Sequence, residues 1–207
     1  MIVTVVRHGQ TVANETNTIQ GQSDTALNPL GIKQAHCVAK RLQGVAFAAV
    51  YSSDLSRAMD TARIIAPEQA LIPSPALREW NLGAWQGMSA QEVRERFPGE
   101  LEAFLNDRPG LCVTGGETKS EVYERAAGFL RALPAKHAGQ HVLVVSHCGL
   151  IRALLKEVMA VSGPWPRQPQ VANASISRFV FDKGVWQLAC WNDTAHLQGL
   201  ESDRGNY

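Results

Sequence analysis

Two spacings alternate along the chain, short β-branched runs and apolar repeats of helical period, and together they predict the architecture. Ile2 to Val6 is a β-branched run that stops at a polar, Gly-containing loop, which predicts a buried strand presenting Arg7 and His8 at its C-terminal end. Asn28 is placed to cap the next element. Pro29 suits a first helical position, and Ile32, Ala35, Val38, Ala39 and Leu42 recur at helical spacing until Gly44 stops the pattern. Phe47 to Tyr51 predicts a second strand, with Ser53 as the cap of a helix running to about Ala66. Leu71 to Pro73 reads as a short third strand. Ser89 with Glu92, and Thr118 with Glu121, have capping-box spacing and predict helices over 89–97 and 118–133, with a weaker helical piece from Leu101 to Asn106 between them. His141 to His147 is the strongest strand, and Leu150 to Met159 reads as the helix after it. Ser175 to Phe181 and Val185 to Cys190 predict an antiparallel hairpin turning at Asp182-Lys183-Gly184.

The order is βαβαβ, a helical insertion, αβα, ββ. It implies an α/β fold, a three-layer α/β/α sandwich with a mostly parallel, mixed central sheet and functional loops at strand C-terminal ends. No internal repeat or linker interrupts residues 1–207, so one domain is expected, with the helical insertion at about 85–117.

Composition narrows the class. A chain of 207 residues with 45% hydrophobic content can bury a substantial core, and its 17 Gly and 10 Pro are too few for a collagen-like or low-complexity chain. Lys plus Arg is 20 against 19 Asp plus Glu, without basic runs, so neither nucleic acid nor an acidic membrane is expected as a partner. The first residues reach charge after six apolar or small positions, unlike a signal peptide, and no segment approaches a membrane span. Cys37, Cys112, Cys148 and Cys190 are widely spaced and lack a CxxC pair, which predicts reduced, mostly buried thiols in a soluble cytoplasmic protein. Oligomeric state is not readable.

Three loops, each after a predicted strand, carry unusual residues: Arg7-His8-Gly9-Gln10-Thr11 with Asn14, Ser52-Ser53-Asp54-Leu55-Ser56-Arg57, and Ser146-His147-Cys148-Gly149. A single His after a strand is more often structural, and a lone Arg early in a helix is more often a surface charge. Their conjunction is different. If the sheet is wound as above, two His and two Arg meet in one crevice, where like charges repel unless an anion holds them. Phosphate is the commonest such anion, and Arg engages it through paired hydrogen bonds. Backbone N–H groups at a helix start near Cys148 and Gly149 would add donors.

Arg7-His8-Gly9-Gln10-Thr11-x-x-Asn14, Ser52-Ser53-Asp54-Leu55-x-Arg57-x-x-x-Thr61-Ala62, Leu77-Arg78-Glu79-x-x-Leu82-Gly83-x-Trp85-x-Gly87, Gly115-Gly116-Glu117-Thr118 and Val145-Ser146-His147 together resemble the histidine phosphatase superfamily, also called phosphoglycerate-mutase-like. Arg-His-Gly alone is a weak signal, but the ordered match runs from Ile2 to at least Leu197. Ile19-Gln20-Gly21-Gln22-Ser23-Asp24 and Ser175-Ile176-Ser177 are similar to the small bacterial phosphatase branch.

The resemblance implies that His8 is a nucleophile accepting the phosphoryl group, which requires a neutral attacking nitrogen. It implies that Arg7, Arg57 and His147 hold the phosphoryl oxygens, with Asn14, Gln20, Gly21 and Cys148 also on the phosphate or substrate side. Glu79 is implied as the acid that protonates the leaving alkoxide and then as the base for water, so activity is expected to weaken toward alkaline pH. No metal and no cofactor are implied, and a small phosphorylated metabolite is the expected substrate. Gln10 stands where many relatives have Glu, and Cys148 where Gly commonly follows the second His. A tyrosine-phosphatase reading of Cys148 fails because Arg152 follows it by three residues and such loops need five.

A hydrolase is favoured over two alternatives. A phosphoglycerate mutase needs a closing lid rich in cations, yet only 68 positions separate Glu79 from His147, and Glu100 to Gly116 holds one Arg and no Lys. A non-catalytic phosphate-binding domain should lack a catalytic residue, and none is missing. The insertion residues Trp80, Trp85, Phe97, Leu101, Phe104 and Leu105 are expected to roof the pocket or to pack as core.

Overall fold

In the computed structural model, which describes residues 1–106, 110–163 and 168–200, Ile2–Arg7 (β1) and His141–Ser146 (β4) lie side by side in parallel, Val3 beside Val142 and Arg7 beside Ser146. Ala49–Ser52 (β2) pairs in parallel with the other side of β4, and Leu71–Pro73 (β3) with β2. On the far side of β1 the hairpin Ile176–Asp182 (β5) and Val185–Asp193 (β6) completes a sheet of order β3-β2-β4-β1-β5-β6, with β5 antiparallel to β1. Lys183 and Gly184 both have positive φ, as a two-residue turn matched to strand twist requires.

The four inner residues Val142 to Val145 are fully buried because helices cover both faces. Val142 and Val144, with Val3 and Val5, face Lys119–Lys136 (α6) and Cys148–Val158 (α7). Leu143 and Val145, with Val6 and Val50, face Pro29–Arg41 (α2) and Ser56–Ile65 (α3). This is the expected three-layer arrangement. Ala90–Arg96 (α4) and Pro98–Leu105 (α5) lie between β3 and α6, with a small core of Trp85, Val93, Leu101 and Val113. The capping boxes at Ser89 and Thr118 and the Asn28 cap with Pro29 at the first turn are all present.

Four local expectations change. A short helix, Val12–Glu15 (α1), follows the first loop, closed by reciprocal bonds between Thr11 and Asn14. Ser53 does not cap α3. Its hydroxyl accepts from Leu55 N two residues on, forming a turn, and Leu55 itself occupies the cap position without a side-chain bond. The helix after β4 begins at Cys148, not Leu150, so Cys148 and Gly149 lie in its first turn. The thiols are free but not mostly buried, since Cys112 is exposed and Cys37, Cys148 and Cys190 are half-buried. No helix among the described residues is long and apolar enough to cross a membrane.

Candidate active site

The C-terminal ends of β1, β2 and β4 bring the three loops together. Gly9 and Gly31 allow the first loop to press onto the start of α2: a Cβ on Gly9 would overlap the Gly31 carbonyl, and one on Gly31 the Gln10 carbonyl. This close approach seats His8 on a fixed backbone. Its Nδ1 lies 2.7 Å from the Gly9 carbonyl, which can only accept, so Nδ1 carries the proton and Nε2 keeps its lone pair. Burial, then the Arg57 and Arg7 cations, hold the His8 pKa well below its ordinary value, and the ring is neutral at physiological pH.

His147 has the opposite tautomer. Arg57 Nε–H donates to its Nδ1 at 3.2 Å, leaving the proton on Nε2, which is buried with no hydrogen-bond partner among the described residues. Burial and the cations around it, Arg57 first, also keep this ring neutral. The two rings meet with centroids 5.0 Å apart. One therefore offers a lone pair and the other an N–H.

Arg57 is buried, and its guanidinium is fixed by the carbonyls of Ser23 and Gly21, each 2.7 Å away. Burial pulls its pKa down to about 10, which leaves it a cation. Arg7 donates to the Val171 carbonyl at 2.6 Å, while its buried Nε has no partner among the described residues. A buried cation with an unmet donor costs several kcal/mol unless an anion answers it, so these orphaned N–H groups mark an anion site.

Asn14 and Gln20 are oriented by their neighbours. Asn14 Oδ1 accepts from Thr11 N and from Asn173 Nδ2, each at 3.2 Å, which turns its NH₂ group toward other partners. Gln20 Oε1 accepts from Thr25 Oγ1 at 2.6 Å, with the same consequence. Glu79 bridges two backbone donors, Trp80 N at 2.9 Å and Gly149 N at 3.1 Å in the first turn of α7. A side chain on Gly149 would overlap the Glu79 carboxylate, which explains why glycine follows Cys148.

These groups share one cavity of about 570 Å³. Arg7, His8, Asn14, Gln20, Gly21, Arg57, Glu79 and Cys148 line it; the His147 ring is fully buried beside that of His8, with its Nε2–H unpartnered among the described residues. Trp80, Trp85, Leu101, Phe104 and Leu105 line its other side, and Trp80, Trp85 and Leu101 are at the same time buried core residues. Phe97 does not line the cavity, and packs instead in the small core with Val93 and Val113. Arg94, Lys119 and Arg152 also line the cavity. The expectation of a cation-poor roof is therefore corrected. It counted only Glu100 to Gly116, whose single Arg108 lies outside the described residues, whereas these cations come from α4, α6 and α7. Asn173, which also donates to the His8 carbonyl at 3.1 Å, was not foreseen either, because 165 positions separate it from its partner. No group of three or more His, Cys, Asp or Glu among the described residues is arranged to hold a metal ion.

The model of the histidine phosphatase superfamily (branch 1) matches residues 3–194. The chain belongs to that family. This histidine phosphatase is 35% identical over 205 residues to the metal-independent phosphoserine phosphatase of Arabidopsis thaliana, covering 96% of the chain and 84% of that protein. It is 36% identical over 203 residues to phosphoglycerate mutase-like protein 4 of the same plant, covering 95% and 86%. Among solved structures, the mycobacterial glucosyl-3-phosphoglycerate phosphatase superposes with a TM-score of 0.86 at 32% identity, covering 93% of this chain and 99% of that one. The mixed six-stranded sheet and its helical layers are the fold that this histidine phosphatase shares with that solved structure.

Proposed function

We propose that the protein hydrolyses a small phosphomonoester in two displacements at His8. The observation that carries this reading is the His8 tautomer: a neutral imidazole whose Nδ1–H is tied to Gly9 and whose Nε2 lone pair is left for attack, beside two arginines. In the first displacement an Nε2–P bond forms as the ester P–O bond breaks, and protonated Glu79 donates to the departing oxygen. Arg7, Arg57, the His147 Nε2–H and the Asn14 NH₂ group offset the charge that develops on the phosphoryl oxygens. In the second, Glu79 takes a proton from water, which attacks phosphorus and releases phosphate and free His8.

The cavity exceeds a phosphoryl group several-fold, and its aromatic roof and outer cations support an alcohol larger than methanol-sized fragments, with polar or acidic substituents. Phosphoserine and glucosyl-3-phosphoglycerate, which the relatives' names carry, therefore head a substrate panel. That panel, run on the wild type and His8→Ala with alkaline-detergent quench and trapping of ³²P on the protein, tests the reading. Turnover surviving in His8→Ala refutes the mechanism. A mutase is the second reading, favoured by the cations that line the cavity. Strict dependence of turnover on a bisphosphoglycerate would establish it in place of hydrolysis.

A further inference from the structure

Glu79 sits in a stretch with no strand or helix partner, between the short turns Pro75–Leu77 and Gly83–Trp85. Backbone groups there need partners from elsewhere. Arg125 on α6 supplies most of them. Its Nη1 donates to the carbonyls of Ala76 at 3.1 Å and Arg78 at 2.7 Å, and its Nη2 to the carbonyl of Glu79 at 3.3 Å. Its remaining N–H groups fork onto Glu117, 3.1 Å from Nε to Oε1 and 3.0 Å from Nη2 to Oε2, so every donor of the guanidinium is used. Ser146, next to His147, holds the one carbonyl of the run that Arg125 skips, Leu77, at 2.8 Å.

Glu117 fixes the chain on the other side of the acid. Its Oε2 accepts from Asn81 N at 2.7 Å, its carbonyl accepts from Trp80 Nε1 at 2.8 Å, and its own N–H donates to the Asn81 carbonyl at 2.9 Å. The pair is partly buried, with side-chain exposures of 17% and 21%, so water competes weakly with these bonds. Neither residue touches the cavity.

We propose that Arg125 and Glu117 are positioning residues for the proton transfer: they hold the backbone on both sides of Glu79 so that its carboxyl meets the leaving oxygen, and so decide how well esters of basic alcohols are cleaved. This rests on Glu79 being the acid. An ester whose leaving oxygen is weakly basic departs without a proton, whereas an alkoxide does not, so a misplaced acid is felt in proportion to the basicity of the leaving group.

The test compares kcat/KM, which reads the steps through formation of phosphohistidine, for 4-nitrophenyl phosphate, phenyl phosphate and phosphoserine, in order of rising basicity. Arg125→Lys keeps the charge but cannot reach three carbonyls and Glu117 at once. Glu117→Gln turns a donor toward other donors. Arg125→Lys is expected to lose about 10²-fold on phosphoserine and Glu117→Gln about 10-fold, with less than about threefold lost by either on 4-nitrophenyl phosphate. Equal losses on all three esters, or none, overturn the proposal. Glu79→Gln is run alongside. If its losses grow with leaving-group basicity while those of the pair do not, only the positioning role fails; if its own losses are equal on all three, the acid assignment fails and the positioning role with it. Thermal melts identify misfolding, and should Arg125→Lys not fold, the Glu117→Gln series alone decides.

Discussion

The floor and the roof of the cavity are built by different physics. On the floor, each polar side chain is held by directional bonds: His8 by Gly9, His147 by Arg57, Arg57 by two carbonyls, Asn14 by Thr11 and Asn173. On the roof, Phe104 leans on Trp80 and Trp85 at ring separations of 5.0 and 5.4 Å, contacts that constrain volume more than identity. Phe97 occupies the cap position of α5 there and makes no side-chain capping bond. Directional bonds fail when one atom is changed, while apolar packing tolerates substitution of similar size. On the proposed mechanism the floor would fix the reaction and the roof would adjust which alcohol is accepted.

The largest expected effect is on the floor. His8→Ala should lower kcat by at least about 10⁴-fold on every ester of the panel, and a smaller, ester-dependent loss would break the division. Next comes Gly149→Ala, whose methyl meets the Glu79 carboxylate. It should cost about 10²-fold in kcat/KM on phosphoserine at unchanged fold, and a silent substitution would show that Glu79 is free to move.

The neutral histidines also make a prediction about stability. Both have pKa values depressed below that of the unfolded chain, so below about pH 6.5 the unfolded state binds protons that the folded state refuses. Their contribution is present above that pH and lost as pH falls, with a slope approaching about 2.7 kcal/mol per pH unit for the pair. Urea unfolding at successive pH values checks it. The double variant His8→Asn, His147→Asn should flatten the curve, and an unchanged slope would place the acid sensitivity elsewhere.

Roof changes should act on selectivity. Phe104→Ala is expected to raise KM about 10-fold for esters with apolar alcohols and to leave 4-nitrophenyl phosphate turnover within about threefold. A uniform loss across the panel would mean that the roof also positions the phosphoryl group. The smallest effect is assigned to Cys148→Ser at the boundary of the two regions, within about twofold on all esters. Inhibition by thiol reagents that this variant abolishes would show only steric access.

The same contrast explains what could be read from the sequence. Arg7, His8, Arg57 and His147 were readable as candidates because each lies at a strand end or in the first turn of a helix, where local pattern and chemistry coincide, whereas Glu79 lies in irregular backbone and was singled out by the resemblance alone. The sheet was legible from its apolar runs, including the doubly buried His141 to Ser146. Asn173 was not, since nothing in Val171-Ala172-Asn173-Ala174 says that the chain returns to His8. Nor were the roof cations, which converge from three helices, or Leu55 as the start of α3, where a Ser two residues earlier gave the stronger local cap signal.

The short contact between His8 Nδ1 and the Gly9 carbonyl has a consequence for the covalent adduct. On the proposed mechanism, with Nδ1 committed to the backbone, phosphorus would bond to Nε2, so of the two regioisomers of phosphohistidine the tele form is expected. Each in-line transfer inverts the phosphorus centre. A chiral phosphate ester should therefore emerge from two turns of the same stereochemical screw with its configuration retained.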